Sequence, residues 1–272
     1  MTRLLLAIVV ALALAGELRA DEEAAVKAIE KVWSSVERDE KAPGKPVVKV
    51  EAGGRLKFTD PHFTDEEMKC LKEFEHLRDL DLCGAWVSDE GLKEIKGLCT
   101  LRSLRLDGTA VTDAGLKELK DLRQIEELGL EQTEVTDAGL EILKGFKQLR
   151  SLDLAGTRVP DKGLQPLRDL KELRSLDLCG TKVTDAGLND LKELKHVERL
   201  DLSGTKVRSL KGIKELGELR CLVLINTEVT DAGLKELSGL KHLRELDLRA
   251  THVTDAGVAD LKRALPDCKI TH

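Results

Sequence analysis

The octet Thr109-Ala110-Val111-Thr112-Asp113-Ala114-Gly115-Leu116 restricts what this chain can fold into more than any other feature. It returns at 133–140, 181–188 and 227–234, and again as Thr251 to Val258. Between the copies runs Leu-x-x-Leu-x-Leu, with leucine pairs at Leu80/Leu82, Leu104/Leu106, Leu128/Leu130, Leu152/Leu154, Leu176/Leu178, Leu200/Leu202, Leu222/Leu224 and Leu246/Leu248. The step is 24 residues, except for 22 between Leu200 and Leu222. The series extends to a first pair at Leu56/Phe58 and a tenth at Cys268/Ile270, the latter after a second step of 22. A fixed period makes a quasi-linear stack, because each unit buries its apolar face only against its neighbours. A length of 272 residues therefore does not imply two globular cores here.

Each part of the unit has a mechanical reading. The paired leucines alternate with polar residues, so they point inward from a short strand and the residues between them point out. Thr109, Thr133, Thr157, Thr181, Thr205, Thr227 and Thr251 sit where the chain leaves the strand, and stacked they would satisfy backbone groups of the turn. The Val two places on turns into the core. The second Thr is a helix N-cap, and the Asp after it favours the positive helix end. The Gly permits close approach of neighbouring units. Leu116, Leu119 and Leu122 follow at helical spacing, and Phe74 and Phe146 share the Leu122 column, which makes them core residues.

Three units depart from this pattern. Val159-Pro160-Asp161 replaces the capping Thr, and Pro166 should shorten or kink the helix that follows. The unit after Leu202 reads Thr205-Lys206-Val207-Arg208-Ser209-Leu210 and lacks Asp-Ala-Gly, which predicts a 3₁₀ turn or a short helix. Thr59 to Phe63 is an edge variant.

Ahead of the repeats, Met1-Thr2-Arg3 and the apolar run Leu4 to Ala15 have the form of a signal peptide. The run is short for a bilayer span; an uncleaved anchor is the alternative to a cleaved leader, and Ala15 and Ala20 are the two candidate last residues before cleavage. Asp21 can cap a helix to about Val36, with Ala25, Val26, Ile29, Val32, Trp33 and Val36 on one stripe. That stripe reads as a cap over the first repeat, with self-association as the alternative. A loop over Glu37 to Pro46, a strand at Val47 to Val50 and a turn at Gly53-Gly54 follow. The expected organisation is a leader over 1–20, a cap over 21–52 and a repeat array over 53–272.

The chain resembles leucine-rich repeat proteins of the ribonuclease-inhibitor-like kind. Its 24-residue unit is similar to the bacterial GALA repeats, and most similar to exported bacterial proteins built on Thr-x-Val-Thr-Asp-Ala-Gly-Leu. The resemblance covers about Leu56 to Ile270. It implies an α/β solenoid, a curved right-handed stack with a concave parallel sheet and convex helices, and a binding or scaffolding role without catalysis. GALA effectors that recruit ubiquitin ligases carry an F-box ahead of the repeats, and internalin-like adhesins carry a C-terminal wall anchor. The stretch before Pro46 is too short for the first and Ile270-Thr271-His272 does not match the second, so neither role is expected.

Composition narrows the chemistry. The net charge is -6 and charged residues make up 35% of the chain, with both signs interspersed, so no basic block exists to hold a nucleic acid. Aromatic residues are only 2%, and the shortage of Trp and Tyr anchors argues against a high-affinity binder. No zinc-protease, nucleophile-elbow, P-loop, dinucleotide or EF-hand motif is present, so no enzyme activity, cofactor or metal is expected. His62, His76, His196, His242, His252 and His272 occupy scattered repeat positions and read as surface or packing residues. Cys70, Cys83, Cys99, Cys179, Cys221 and Cys268 read as free, partly buried thiols. Cys83 and Cys179 share a column, but four strands separate them by about 19 Å, beyond a disulfide's reach.

One constellation stands out. The column between the strand leucines reads Lys57, Asp81, Arg105, Gly129, Asp153, Asp177, Asp201, Val223 and Asp247. Beside it runs Arg55, Asp79, Ser103, Glu127, Ser151, Ser175, Arg199, Cys221 and Glu245. Asp153, Asp177 and Asp201 would stack about 4.8 Å apart, with Arg199 near the last two. Cys221, Val223 and Ile225 then place an apolar patch beside the charge. Two readings stay open: a solubilising sheet surface, or a strip receiving a basic partner. Loose calcium binding would need oxygen ligands from more directions. The expected function is non-catalytic protein or peptide recognition by an exported, monomeric repeat domain. The candidate partner-binding residues are Asp153, Asp177, Asp201, Arg199, Val223, Ile225 and Asp247. The alternatives are an envelope scaffold without a discrete ligand, and an enzyme with an unrecognised site.

Overall fold

The structure is a computed structural model that describes residues 20–32, 35–52 and 62–272. Residues 1–19 of the leader, Trp33, Gly53-Gly54 and the strand expected at Leu56 to Phe58 lie outside the described residues, as do Thr59 to Pro61 of the edge variant.

Eleven strands form one sheet in sequence order. They are β1 (Ser35–Arg38), β2 (Val47–Glu51), β3 (Asp79–Asp81), β4 (Ser103–Arg105), β5 (Glu127–Gly129), β6 (Ser151–Asp153), β7 (Ser175–Asp177), β8 (Arg199–Asp201), β9 (Cys221–Val223), β10 (Glu245–Asp247) and β11 (Lys269–Thr271). Strands β2 to β11 are parallel, and β1 is antiparallel to β2. A helix over residues 20–30, α1, precedes the sheet, and the motif segments form α2 (Asp65–Met68), α3 (Asp89–Ile95), α4 (Asp113–Glu118), α5 (Asp137–Leu140), α6 (Asp185–Leu191), α7 (Asp231–Leu234) and α8 (Asp255–Ala264) behind the sheet. A strand needs about 4.8 Å of stack and a helix about 10 Å, so the stack curves toward the sheet, which is its concave face.

The strand leucines and the helical leucines meet in one continuous core, in which Phe74 and Phe146 are fully buried. The turn threonines act as expected. Each donates its hydroxyl to the carbonyl three residues back, from Thr109 to Leu106 O at 2.6 Å through Thr251 to Leu248 O at 2.6 Å. The irregular units also follow expectation. Asp161–Asp169, which contains Pro166, is 3₁₀ throughout, and the short unit keeps only the 3₁₀ turn Lys211–Ile213.

The ends differ from the sequence reading. The helix before the array runs over residues 20–30 and does not reach Val36, which lies in β1 opposite Val50. Pairing β1 with β2 satisfies a row of backbone groups that would otherwise be left on a bare sheet edge. Arg38 then ties this hairpin to the helix by donating to Glu22 at 2.6 Å and Glu23 at 2.9 Å. The strand hydrogen-bonded to β3 is β2, with Val50 opposite Leu80, so Val47–Glu51 occupies the place expected for Leu56 to Phe58. At the other end Leu246 pairs with Ile270, a step of 24, so Cys268 is not the partner of Leu246. The Cys268 N–H donates to Leu265 O as that of Leu243 does to Leu240 O, which seats the cysteine in the core just ahead of the strand.

Candidate functional site

The strand register places one residue per unit in the middle of the concave face: Glu51, Asp81, Arg105, Gly129, Asp153, Asp177, Asp201, Val223, Asp247 and Thr271. The sequence-derived columns therefore hold from Asp81 to Asp247. Asp153, Asp177 and Asp201 lie side by side on β6, β7 and β8, and Val223 is the register partner of Asp201.

Each of these aspartates first serves its own chain. Asp153, Asp177 and Asp201 use Oδ1 to accept the N–H two residues on, from Ala155 at 2.9 Å, Cys179 at 2.8 Å and Ser203 at 2.8 Å. Asp81 does the same for Cys83 at 2.9 Å. An Asp side chain closing on its own backbone holds the turn that ends the strand. The sequence reading missed this role, although the recurrent Asp ahead of the turn was its signal.

Gly129 shows how the arrangement tolerates a gap. Asp107 of the preceding unit extends its Oδ1 to the Glu131 N–H at 2.9 Å and so fills the missing role. A Cβ built on Gly129 would lie 2.6 Å from that oxygen. The Asp107 carboxylate is otherwise held by Arg105 Nε at 3.1 Å and the Cys83 thiol at 3.0 Å. Arg105 also donates to Asp81 at 3.2 Å. The carboxylates at the N-terminal end of the column are thus paired internally.

The next part is not. Among the described residues, Asp153, Asp177 and Asp201 form no ion pair, and the neighbouring Glu131 forms none either. Burial, opposed by the Cys179 N–H and reinforced by Asp201 and Asp153, pushes the Asp177 carboxyl up to about 6. Burial likewise raises Asp153 and Glu131, with nearby carboxylates adding to it. Glu131 belongs to this acidic surface and was absent from the sequence-derived set.

The other candidates divide. Arg199 does not bond to Asp201 or Asp177. Its Nη1 reaches the Cys221 sulfur at 3.2 Å, and its charge only moderates the rise at Asp177. Asp247 is clasped by the Arg249 guanidinium, with contacts of 2.7 to 3.1 Å, which lowers its carboxyl. It is therefore separate from the acidic strip. Val223 and Ile225 are half-buried on the concave side. Arg199, Cys221, Val223, Glu245, Asp247, Lys269 and Thr271 line a shallow depression of about 220 Å³ there.

The opposite rim carries a second arrangement built from the motif Asp. Asp89 accepts both the backbone N–H and the hydroxyl of Thr112 in the following unit, at 2.8 and 2.7 Å. Asp65 does the same to Ser88, Asp113 to Thr136, Asp161 to Thr184 and Asp231 to Thr254. The caps work as read at Thr112, Thr136, Thr184 and Thr254 but not at Thr230, whose side chain accepts no N–H; Thr112 Oγ1 accepts that of Ala114 at 3.2 Å. The Asp does more than favour the helix end, since it joins one unit to the next.

The period, the stacked parallel strands and the buried leucines are matched by sequence comparison. Residues 61–198, more than half of the chain, match the family described as leucine-rich repeat region, and residues 239–262 match a leucine rich repeat. The chain belongs to the leucine-rich repeat family. No catalytic family is among these matches. This leucine-rich repeat chain is similar in fold to internalin C2 of Listeria monocytogenes, with a TM-score of 0.51 and 20% identity over 85% of this chain and 88% of that one. It also aligns with a leucine-rich repeat protein of Leptospira interrogans, at a TM-score of 0.41 and 20% identity over 75% of this chain and 74% of that one. A second Listeria internalin aligns at 0.39 and 17% identity over 95% and 94%. No curated protein matches the sequence. No helix among the described residues is long and apolar enough to cross a membrane.

Proposed function

We propose that this leucine-rich repeat domain is exported, is built of GALA-type units, and recognises a protein or peptide through its concave face. The observation carrying the site is the run of Asp153, Asp177 and Asp201 on adjacent strands, without a cationic partner among the described residues, beside the apolar Val223. Each of the three has one oxygen committed to its own turn, which leaves the other for a ligand. Unneutralised carboxylates favour a basic segment, and Val223 with Ile225 supplies apolar contact that charge alone lacks. Arg199 frames the patch from the neighbouring column, and Glu131 extends its acidic side. Asp247 is the weakest member of the candidate set, because Arg249 already satisfies it.

The test is affinity capture from the producing cell followed by mass spectrometry, with the wild type compared to the Asp153→Asn/Asp177→Asn/Asp201→Asn variant. Asn retains an oxygen to accept the Ala155, Cys179 and Ser203 N–H groups, so the turns are expected to survive. Loss of one saturable partner, greatest at low salt, is the expected result. Equal capture by both proteins at low salt would reduce the strip to a solubilising surface. Absence of any saturable partner would favour the envelope-scaffold reading, which the self-serving Oδ1 bonds also suit.

A further inference from the structure

The carboxylate clamp between units is interrupted at two joints, and the two are not equivalent. At the first, Pro160 stands where Thr or Ser stands in the regular units and has no N–H to donate. Asp137 turns instead to Lys162 Nζ at 2.6 Å, so a bond between the units remains. At the second, Asp185 still clamps the short unit, accepting the Arg208 N–H at 2.7 Å and the Ser209 N–H at 2.9 Å. Ser209, however, occupies the place of the motif Asp, and no carboxylate extends from there to Thr230. Thr230 is the motif Thr whose side chain makes no capping hydrogen bond, whereas Thr112, Thr136, Thr184 and Thr254 all make one. Behind Gly233 lies the Arg208 carbonyl, where Asp89, Asp113 and Asp231 place a carboxylate behind Gly115, Gly139 and Gly257. This unit is also the one two residues short, with only the Lys211–Ile213 turn on its convex side.

We propose that the joint between the β8 and β9 units is the point at which the solenoid opens, and that Cys221 to His272 comes away as one cooperative block. The bonds crossing this joint are backbone bonds and exposed side-chain contacts. The backbone bonds outside the strand ladder run from the Leu202 N–H to Val223 O at 2.9 Å, Gly204 to Ile225 O at 2.8 Å, Glu228 to Val207 O at 3.0 Å, and Arg220 and Cys221 to Glu198 O at 2.8 and 3.0 Å. Arg208 also donates to Glu228, Arg220 pairs with Glu198 at 3.3 Å and Arg199 reaches the Cys221 sulfur at 3.2 Å, but pairs this exposed contribute little. Backbone bonds of this kind cross every joint; the clamp is what this one lacks. In a stack stabilised by nearest-neighbour contacts, opening concentrates at the weakest interface, and the units beyond it open together when their own joints are stronger. The β9 and β10 units meet these conditions, because Asp231 clamps Thr254 with bonds of 2.8 and 2.7 Å. The joint also separates Asp201 from Val223, so the two halves of the concave surface lie on different sides of it.

Native-state hydrogen exchange on the full chain tests this. Leu202, Gly204, Leu224 and Asn226 are expected to share one opening equilibrium, with exchange roughly ten- to hundredfold faster than at Leu130, Leu154 and Leu178, the difference expected for missing charge-assisted bonds. Ser209→Asp supplies a carboxylate facing Thr230 and is expected to slow exchange throughout the block while leaving Leu130 and Leu154 unchanged. A smooth unit-by-unit decline toward β11, with no step at Leu202, would be simple end fraying and would overturn the proposal. A step that persists unchanged in Ser209→Asp would overturn the assignment of the joint to the missing carboxylate.

Discussion

Asp89 holds Thr112 by two bonds across 23 residues of sequence, one to its backbone N–H and one to its hydroxyl. The same oxygen that takes the N–H lies against Gly115, so the motif Asp, the next unit's Thr and the next unit's Gly form one contact. The Thr needs the carboxylate, and the carboxylate needs a residue without a Cβ behind it.

Removing the clamp at an ordinary joint should therefore cost more than removing the same residue type at the joint altered by Pro160. Asp89→Ala forfeits two hydrogen bonds to a charged group and is expected to lose about 2–4 kcal/mol. Asp137→Ala forfeits one ion pair to an exposed lysine and should lose about 1 kcal/mol or less. Urea unfolding of the two variants measures the difference, and equal midpoints would contradict the clamp.

The glycine of the motif gives a second comparison. In Gly115→Val the new Cβ runs into Asp89 Oδ1 and lies 3.0 Å from Leu92 Cδ1, before the valine methyls are counted. A loss of about 2–4 kcal/mol is expected. Lys117→Val, on the exposed side of α4, should change stability by about 0.5 kcal/mol. Thermal melts that coincide for the two would show that the units do not pack as closely as described.

Asp107 and Gly129 should be strongly coupled. Asp107→Ala leaves the Glu131 N–H without its acceptor, and Gly129→Asp drives a side chain into Asp107. Each alone is expected to cost about 1–3 kcal/mol. The double variant should recover most of this, because an aspartate at position 129 can accept the Glu131 N–H as Asp153 accepts that of Ala155. Additive losses in a double-mutant cycle would refute this substitution of one carboxylate for another.

The raised Asp177 carboxyl predicts a pH dependence of definite sign. Its folded value of about 6 lies above the ordinary 3.8, so between these limits the folded chain holds the proton more tightly than the unfolded one. Stability from this group is complete below about pH 4 and is lost as pH rises through 6. Asp177→Asn keeps the acceptor for Cys179, removes the charge, and should raise stability at pH 7 by about 1 kcal/mol after allowance for solvent screening. It should also flatten the decline between pH 4 and 7. A variant less stable than wild type at pH 7 would mean that the charge is favourable where it stands.

Much of this fold is legible because its local rules repeat. Leu-x-Leu identifies the inward residues of each strand, the turn threonines mark where backbone groups need a partner, and Pro166 announces a disturbed helix, which the structure shows as 3₁₀ throughout. These depend on neighbours within one unit, which periodicity reports directly. The concave columns follow as well, because a constant step of 24 puts equivalent residues in register. The step of 22 is found correctly at Leu222 and misjudged at Cys268, where a buried cysteine resembles a strand residue in sequence but sits before the strand in space.

What the sequence by itself determined is the unit, its core and the order in which units stack. Only the tertiary structure decided how polar side chains cross from one unit to the next. Asp89 to Thr112, Asp107 to Glu131, the loss of the clamp at Ser209 and the departure of Arg199 toward Cys221 are all inter-unit choices. So is the capture of β1 by the open edge of β2, which overrode a helical stripe at Val36. The physical reason is common to them. A repeat period states which residues are equivalent, whereas a carboxylate or a bare strand edge is satisfied by whichever donor or acceptor the neighbouring unit brings within about 3 Å, and that distance exists only once the units are packed.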